Sequence, residues 1–152
     1  MNEAIVKTLA DKDAIANIRI KFARYIDTQN WSGLTTLLAD RIDVDYSDFG
    51  VPAKTMTKED FAALIRSTLS REGIKTQHYI SNIDVSVEGD RATSIAYVFA
   101  RHYLPTDEGE STFDLNGYYM EKLVRTNSDW QINVIKLSVG WTVGNPQQVL
   151  AL

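Results

Sequence analysis

The apolar residues of this chain change their period once, near Lys75, and that change constrains the fold more than any other feature. Upstream they recur at helical spacing; downstream they alternate in and out. In residues 12–28, "KDAIANIRIKFARYIDT", one stripe is made by Ile15, Ile18, Phe22, Tyr25 and Ile26, widened by Ala16, Ile20 and Ala23. Asn17, Lys21, Arg24 and Thr28 form the wet face, and Asp11 is placed to cap the helix start. A second short helix is predicted after Asn30 in "WSGLTTLLAD", a short strand in "IDVDY", and a third helix in "TKEDFAALIRSTLSR". There Thr57 stands three residues before Asp60 as a near capping box.

From there to the end, four alternating runs are predicted as strands: 76–87, 91–104, 112–125 and 130–143. The turns between them, "EGD", "PTDEGE" and "TNSD", suit successive antiparallel hairpins. Helices first and a meander after them argue an α+β fold, with the helices on one face of an antiparallel sheet. Strands of this length exceed the usual 3–10 residues or so, so the sheet is expected to curl strongly, with room for a cavity under the helices.

At 152 residues the chain is read as a single domain over 1–152, able to bury about 68–70% of its unfolded surface. The net charge of −4, with Lys and Arg scattered singly, leaves no basic stripe for a phosphate backbone, so no nucleic-acid partner is expected. The absence of cysteine excludes disulfides, thiolate metal sites and a thiol nucleophile. No run of about 18 apolar residues and no basic-then-apolar leader is present, so no membrane partner is expected and the expected location is cytoplasmic. Glycine-rich phosphate loops, paired zinc-binding histidines and serine-hydrolase elbows are likewise missing.

Chemistry then falls to few residues. His78, in "KTQHYISNID", shares a strand face with Thr76, Ile80 and Asn82. His102 shares its face with small residues, Ala92, Ser94, Ala96, Val98 and Ala100, which leave room for a ligand; the other reading is a histidine solvated at the sheet's rim. Asp27, at the end of the first helix and the edge of its apolar arc, either meets an imidazole N–H or caps backbone groups at the turn. Arg19, nearer the middle of that arc, is another partner open to it. Tyr25, Tyr46, Tyr118 and Tyr119 are individually weak signals.

"ARYIDTQNW", "IDVDYSDFG", "KTQHYISN", "ARHYL" and "DWQINVIKLSVGW" together resemble scytalone dehydratase and its SnoaL-like bacterial relatives, in the nuclear-transport-factor-2-like superfamily. The resemblance spans nearly the whole chain. It implies a cone-shaped, strongly curled antiparallel sheet (a cystatin-like α+β barrel) whose pocket the N-terminal helices close. It also implies a cofactor-independent dehydratase, a lyase acting by acid–base chemistry on a cyclic or polyketide-like ketone, in a homotrimer or dimer.

Carried across position by position, the resemblance makes Asp27, Tyr46, His78 and His102 the catalytic set. His78 is then the principal base and acid, His102 its partner, Asp27 the group fixing the His102 tautomer, and Tyr46 the carbonyl polariser. Tyr25, Phe49, Met56, Gly117, Tyr119, Leu137 and Trp141 become the substrate-binding residues. Two positions depart from the pattern: Ile26 stands where the dehydratase has a tyrosine, and Gly117 and Tyr119 stand where it has serine and asparagine. The resemblance therefore implies shared chemistry on a different substrate. The same cone also serves ketosteroid-isomerase-like enzymes and cyclases, small subunits of ring-hydroxylating dioxygenases, and plain ligand-binding modules, which are the alternatives.

Overall fold

The computed structural model describes residues 2–152 and has the expected α+β architecture. Helix α1 runs Glu3–Asp27, and its start is capped by Asn2, whose side chain accepts from the backbone N–H of Ala4. Asp11 is therefore inside the helix and not its cap. It is buried, accepting from Trp130 Nε1 at 3.1 Å and from Arg125 at 2.7 Å. The stretch before it was missed because Ile5, Val6 and Leu9 are exposed and make no buried stripe. Ile15, Ile18, Phe22 and Ile26 form the buried face, as the helical period predicted.

Thr28 ends α1, its N–H returning to Arg24 O at 2.9 Å, and Gln29 turns the chain at a left-handed φ of 54°. Asn30 then caps α2 (Trp31–Thr36), accepting from Gly33 N–H at 2.8 Å. Strand β1 (Leu38–Tyr46) begins earlier than expected, since Leu38, Ile42 and Val44 all go into the core. A 3-10 turn at Ser47–Phe49 leads to β2 (Val51–Thr57), which the sequence did not reveal. Its residues are mostly exposed and it carries Pro52, as an edge strand can, so no alternation marks it. Thr57 caps α3 (Lys58–Thr68), accepting from Asp60 N–H at 3.1 Å, in line with the near capping box.

Four long strands follow: β3 (Lys75–Glu88), β4 (Arg91–Thr106), β5 (Gly109–Thr126) and β6 (Asp129–Gly144), with a short terminal helix α4 at Pro146–Val149. The sheet order is β2-β1-β6-β5-β4-β3. The meander pairs antiparallel throughout, while β1 lies parallel to β6, so α3 and its flanking loops carry the chain from one edge of the sheet to the other. Small residues at Ala92, Ala96 and Ala100 line the concave face of β4, and Ile95 and Tyr97 stand exposed on the convex one. Among the described residues no helix is long and apolar enough to cross a membrane.

Bulges between Asn116 and Gly117, and between Ser81 and Asp84, bend the long strands. At Gly117 the curl brings β6 so close that a Cβ would run into the Ser138 carbonyl oxygen. Gly117→Ala must therefore push β5 and β6 apart. A loss of about 2–3 kcal/mol, at the severe end for overpacking, is expected in urea unfolding. Gly140→Ala, whose Cβ would meet Asn116 O at 3.4 Å, should change stability far less.

Candidate functional site

Asp27 is the last residue of α1 and faces the start of β3, where alternation turns Thr76 and His78 toward it. Its carboxylate accepts three hydrogen bonds from that strand. Thr76 Oγ1 donates to Oδ1 at 2.8 Å, the His78 backbone N–H donates to Oδ2 at 2.9 Å, and His78 Nδ1 lies 2.6 Å from Oδ1. Burial would raise the Asp27 carboxyl, but the bonds from His78 and Thr76 and the charge of His78 outweigh it, holding it below 3.8. The ionised carboxylate keeps the imidazole proton on Nδ1, which leaves Nε2 of His78 with its lone pair.

His102 is only 7% exposed, and its Nδ1 donates to the Phe113 carbonyl across the β4–β5 pair at 3.1 Å. Burial, reinforced by His78, pushes its pKa from 6.5 down to about 4, so the ring is neutral at ordinary pH and its Nε2 is an acceptor. The two imidazoles sit diagonally across β3 and β4, because Thr76 pairs with His102 and His78 with Ala100. Their centroids are 5.8 Å apart with the ring planes at 82°. Asp27 therefore fixes the tautomer of His78, not that of His102, which takes its proton position from a backbone carbonyl. The expected Asp27–His102 pair is corrected by the register, which puts His78 and not His102 beside the end of α1.

Tyr46 ends β1 with its ring edge on Phe61, centroids 5.7 Å apart at 87°, and lies 6.5 Å from the Tyr119 ring. Burial raises the Tyr46 phenol well above 10, and burial raises Tyr119 as well, so both stay protonated. His78, His102, Tyr46 and Tyr119 all line one cavity of about 110 Å³. Its remaining walls are mostly apolar, with Leu115 and Leu137 from the sheet, Ile26 from α1 and Phe49 from the 3-10 turn, and α3 and Leu150 closing it. A larger groove of about 430 Å³ lies at the far end of β3 and β4, lined by Ser86, Arg91, Thr93 and Lys122. It holds neither imidazole, so the smaller cavity is the candidate site.

Of the residues expected at the site, Phe49, Tyr119 and Leu137 line this cavity with His78, His102 and Tyr46. Asp27 stands behind His78, in an outer groove with Arg24 and Gln77. Four other expectations are corrected. Tyr25 packs against the core without reaching the cavity, and Met56 borders a surface groove beside Arg41 and Lys54. Gly117 abuts the β6 backbone, and Trp141 is 64% exposed. The slip in the β5–β6 pairing turns Trp141 off the concave wall, while Gly117 stays in phase with Leu115 and Tyr119 but has no side chain to offer.

Sequence reasoning missed the wall supplied by Leu64, Ile65 and Leu69 of α3 and by Leu150 and Leu152, since an amphipathic helix does not reveal what it covers. It also missed a buried ion pair: Arg19 meets Glu121 at 2.6 Å and does not meet Asp27. A charge on the apolar arc of α1 and another on the inward face of β5 were its signal.

Residues 7–136 match the SnoaL-like domain family, and the chain belongs to that family. Its structure is similar to that of the Kfla4162 protein from Kribbella flavida, with 26% identity and a TM-score of 0.85 over 92% of this chain and 97% of that one. The hexachlorocyclohexane dehydrochlorinase LinA-type3 from Novosphingobium barchaimii shares the fold at 16% identity and a TM-score of 0.77, covering 92% and 93% of the two chains. A candidate scytalone dehydratase from Novosphingobium aromaticivorans does so at 20% identity and 0.73, covering 91% and 89%. No curated protein matches this sequence.

The histidine environments set a pH dependence. The unfolded chain binds a proton on His102 near pH 6.5, while the folded protein does so only near 4. The stability contributed by the neutral folded ring is thus fully present above pH 6.5 and is lost as pH falls toward 4. Relative to His102→Phe, the wild type should lose on the order of 3 kcal/mol between pH 7 and pH 4, read from urea midpoints across that range.

Proposed function

We propose that this protein is a cofactor-independent hydro-lyase that removes water beside the carbonyl of a small cyclic or polyketide-like ketone. The observation that carries this reading is the 2.6 Å contact of Asp27 with His78 Nδ1, in a residue that also lines the cavity. An imidazole held in one tautomer by a carboxylate presents its other nitrogen as a general base. His78 Nε2 takes the C–H proton next to the carbonyl, and Tyr46 donates to the carbonyl oxygen as it gains charge. His102, neutral and an acceptor at Nε2, holds the O–H of the leaving hydroxyl. His78 then returns the same proton to that hydroxyl, so that water and a conjugated ketone leave and the enzyme is regenerated. The apolar walls suit a neutral ring and strengthen each of these hydrogen bonds by excluding water.

A ketosteroid-isomerase-like reaction would use a carboxylate as the base. Asp27 stands behind His78 and outside the cavity wall, which favours the histidine. A purely structural or ligand-binding role predicts that neither residue affects any turnover. Cyclic β-hydroxyketones assayed by the absorbance of the conjugated product separate these readings. Asp27→Asn and His78→Ala should each lower turnover by roughly 10²- to 10⁴-fold, and the double variant should be little worse, since the two act as one unit. Additive losses, or full activity in His78→Ala, would overturn the mechanism.

We also propose that the protein works as a homotrimer or dimer, because Tyr79 and Tyr97 are 53% and 56% exposed on the convex face and join Ile95, Tyr118 and Met120 in an apolar surface. Light scattering at micromolar concentration should give a multiple of 17.1 kDa, and a monomer would count against this assembly.

A further inference from the structure

We propose that Tyr46 and Tyr119 form a two-phenol site for an oxyanion, that the ion pair of Arg19 with Glu121 positions Tyr119 there, and that the site selects small neutral ring compounds bearing one oxygen able to become an enolate or phenolate. This deepens the elimination reading and rests on it for the identity of the reacting group. Tyr46 comes from β1 and Tyr119 from β5, yet both line the same cavity, with ring centroids 6.5 Å apart. Two phenols side by side on one cavity wall suit a single oxygen placed between them.

What stands behind Tyr119 makes that oxygen's charge matter. The Arg19 guanidinium lies 4.0 Å from the centroid of the Tyr119 ring and 4.0 Å from that of Phe22, clamped between them. It is 1% exposed, bonds Glu121 at 2.6 Å, and leaves its Nε buried without a partner. A half-satisfied buried ion pair is a weak source of stability. Its geometric effect is plain, however: it holds the Tyr119 ring from behind while the cavity holds it from the front. Burial and Glu121 oppose an anion at Tyr119, and the Arg19 guanidinium over its ring is the group that favours one. No cationic side chain lines the cavity itself, so a permanently charged carboxylate or phosphate has no partner there, whereas a neutral compound that acquires charge on one oxygen does. A dry cavity of about 150 Å³ accommodates benzene, and this one is of that order, which limits the ligand to about one ring.

The test uses 4-nitrophenol, whose phenolate absorbs apart from the neutral form, with 4-nitroanisole as a probe of equal shape that cannot ionise. Below the free probe's own pKa, the wild type should bind 4-nitrophenol as the phenolate and more tightly than the anisole. Tyr119→Phe should weaken phenolate binding by roughly 10-fold or more and return the bound probe to its neutral form. Replacing the pair together, Arg19→Met with Glu121→Leu, avoids leaving one charge buried alone. It should lower the phenolate preference several-fold while leaving anisole affinity unchanged, which reports an intact cavity. Phenolate binding as tight in Tyr119→Phe as in the wild type overturns the proposal, as does binding of the neutral form only or no binding of either probe. Phenolate binding without turnover of any hydroxyketone would sink the elimination reading alone; turnover without phenolate preference would sink the two-phenol site alone.

Discussion

The carboxylate of Asp27 joins the two halves of this molecule. A helix laid across a curled sheet is held mainly by its apolar face, and Ile18, Phe22 and Ile26 supply that burial, each worth about 1.5–3 kcal/mol. Non-directional burial lets a helix slide and rotate by fractions of a turn. Three hydrogen bonds from Thr76 and His78 to one carboxylate remove that freedom at the end of α1. They also compensate for taking a charge partly out of water, a cost that would otherwise exclude an aspartate from this junction. Everything downstream depends on the result, because the same three bonds define which way His78 faces.

Two imidazoles in one cavity have been given different chemistry by their Nδ1 partners. A carboxylate behind His78 holds the ring proton on Nδ1 and turns Nε2 to the cavity. A backbone carbonyl behind His102 fixes the tautomer without supplying a full charge, and burial beside His78 keeps that ring neutral. The walls matter to this, since water in the cavity would relieve the burial that keeps His102 neutral. Leucines and isoleucines from α3 and the C-terminal segment are therefore part of the electrostatics as well as of the packing.

Much of the frame was legible because its signals are local. Alternation exposed β3 to β6, since each of those strands has one buried and one wet face, and turn residues marked their ends. Thr57 and the stripe of Phe61, Leu64 and Ile65 did the same for α3. Strand β2 was illegible for the converse reason: an edge strand that buries little has no pattern to show. Asp11 was misread because capping chemistry and a buried hydrogen bond to Trp130 need the same side chain, and only the fold distinguishes them. Trp141, apolar and in phase on a long strand, looked inward, but the pairing slips between Asn116 and Gly117 and the end of β6 turns to solvent.

From the sequence alone came the α+β class, the face of the sheet that carries both histidines, and the short set of residues able to do acid–base chemistry. These follow from period, composition and side-chain type, which are properties of segments. The tertiary structure decided which imidazole Asp27 meets, that Arg19 belongs to Glu121, and that Tyr119 stands beside Tyr46. Each of those pairs joins elements far apart in the chain, and its geometry depends on strand register, on bulges and on where α1 crosses the sheet. His78 and His102 satisfy the same face rule, so no local pattern could choose between them. A shift of two register positions along β3 and β4 separates the ring that reaches the end of the helix from the ring that reaches only a carbonyl.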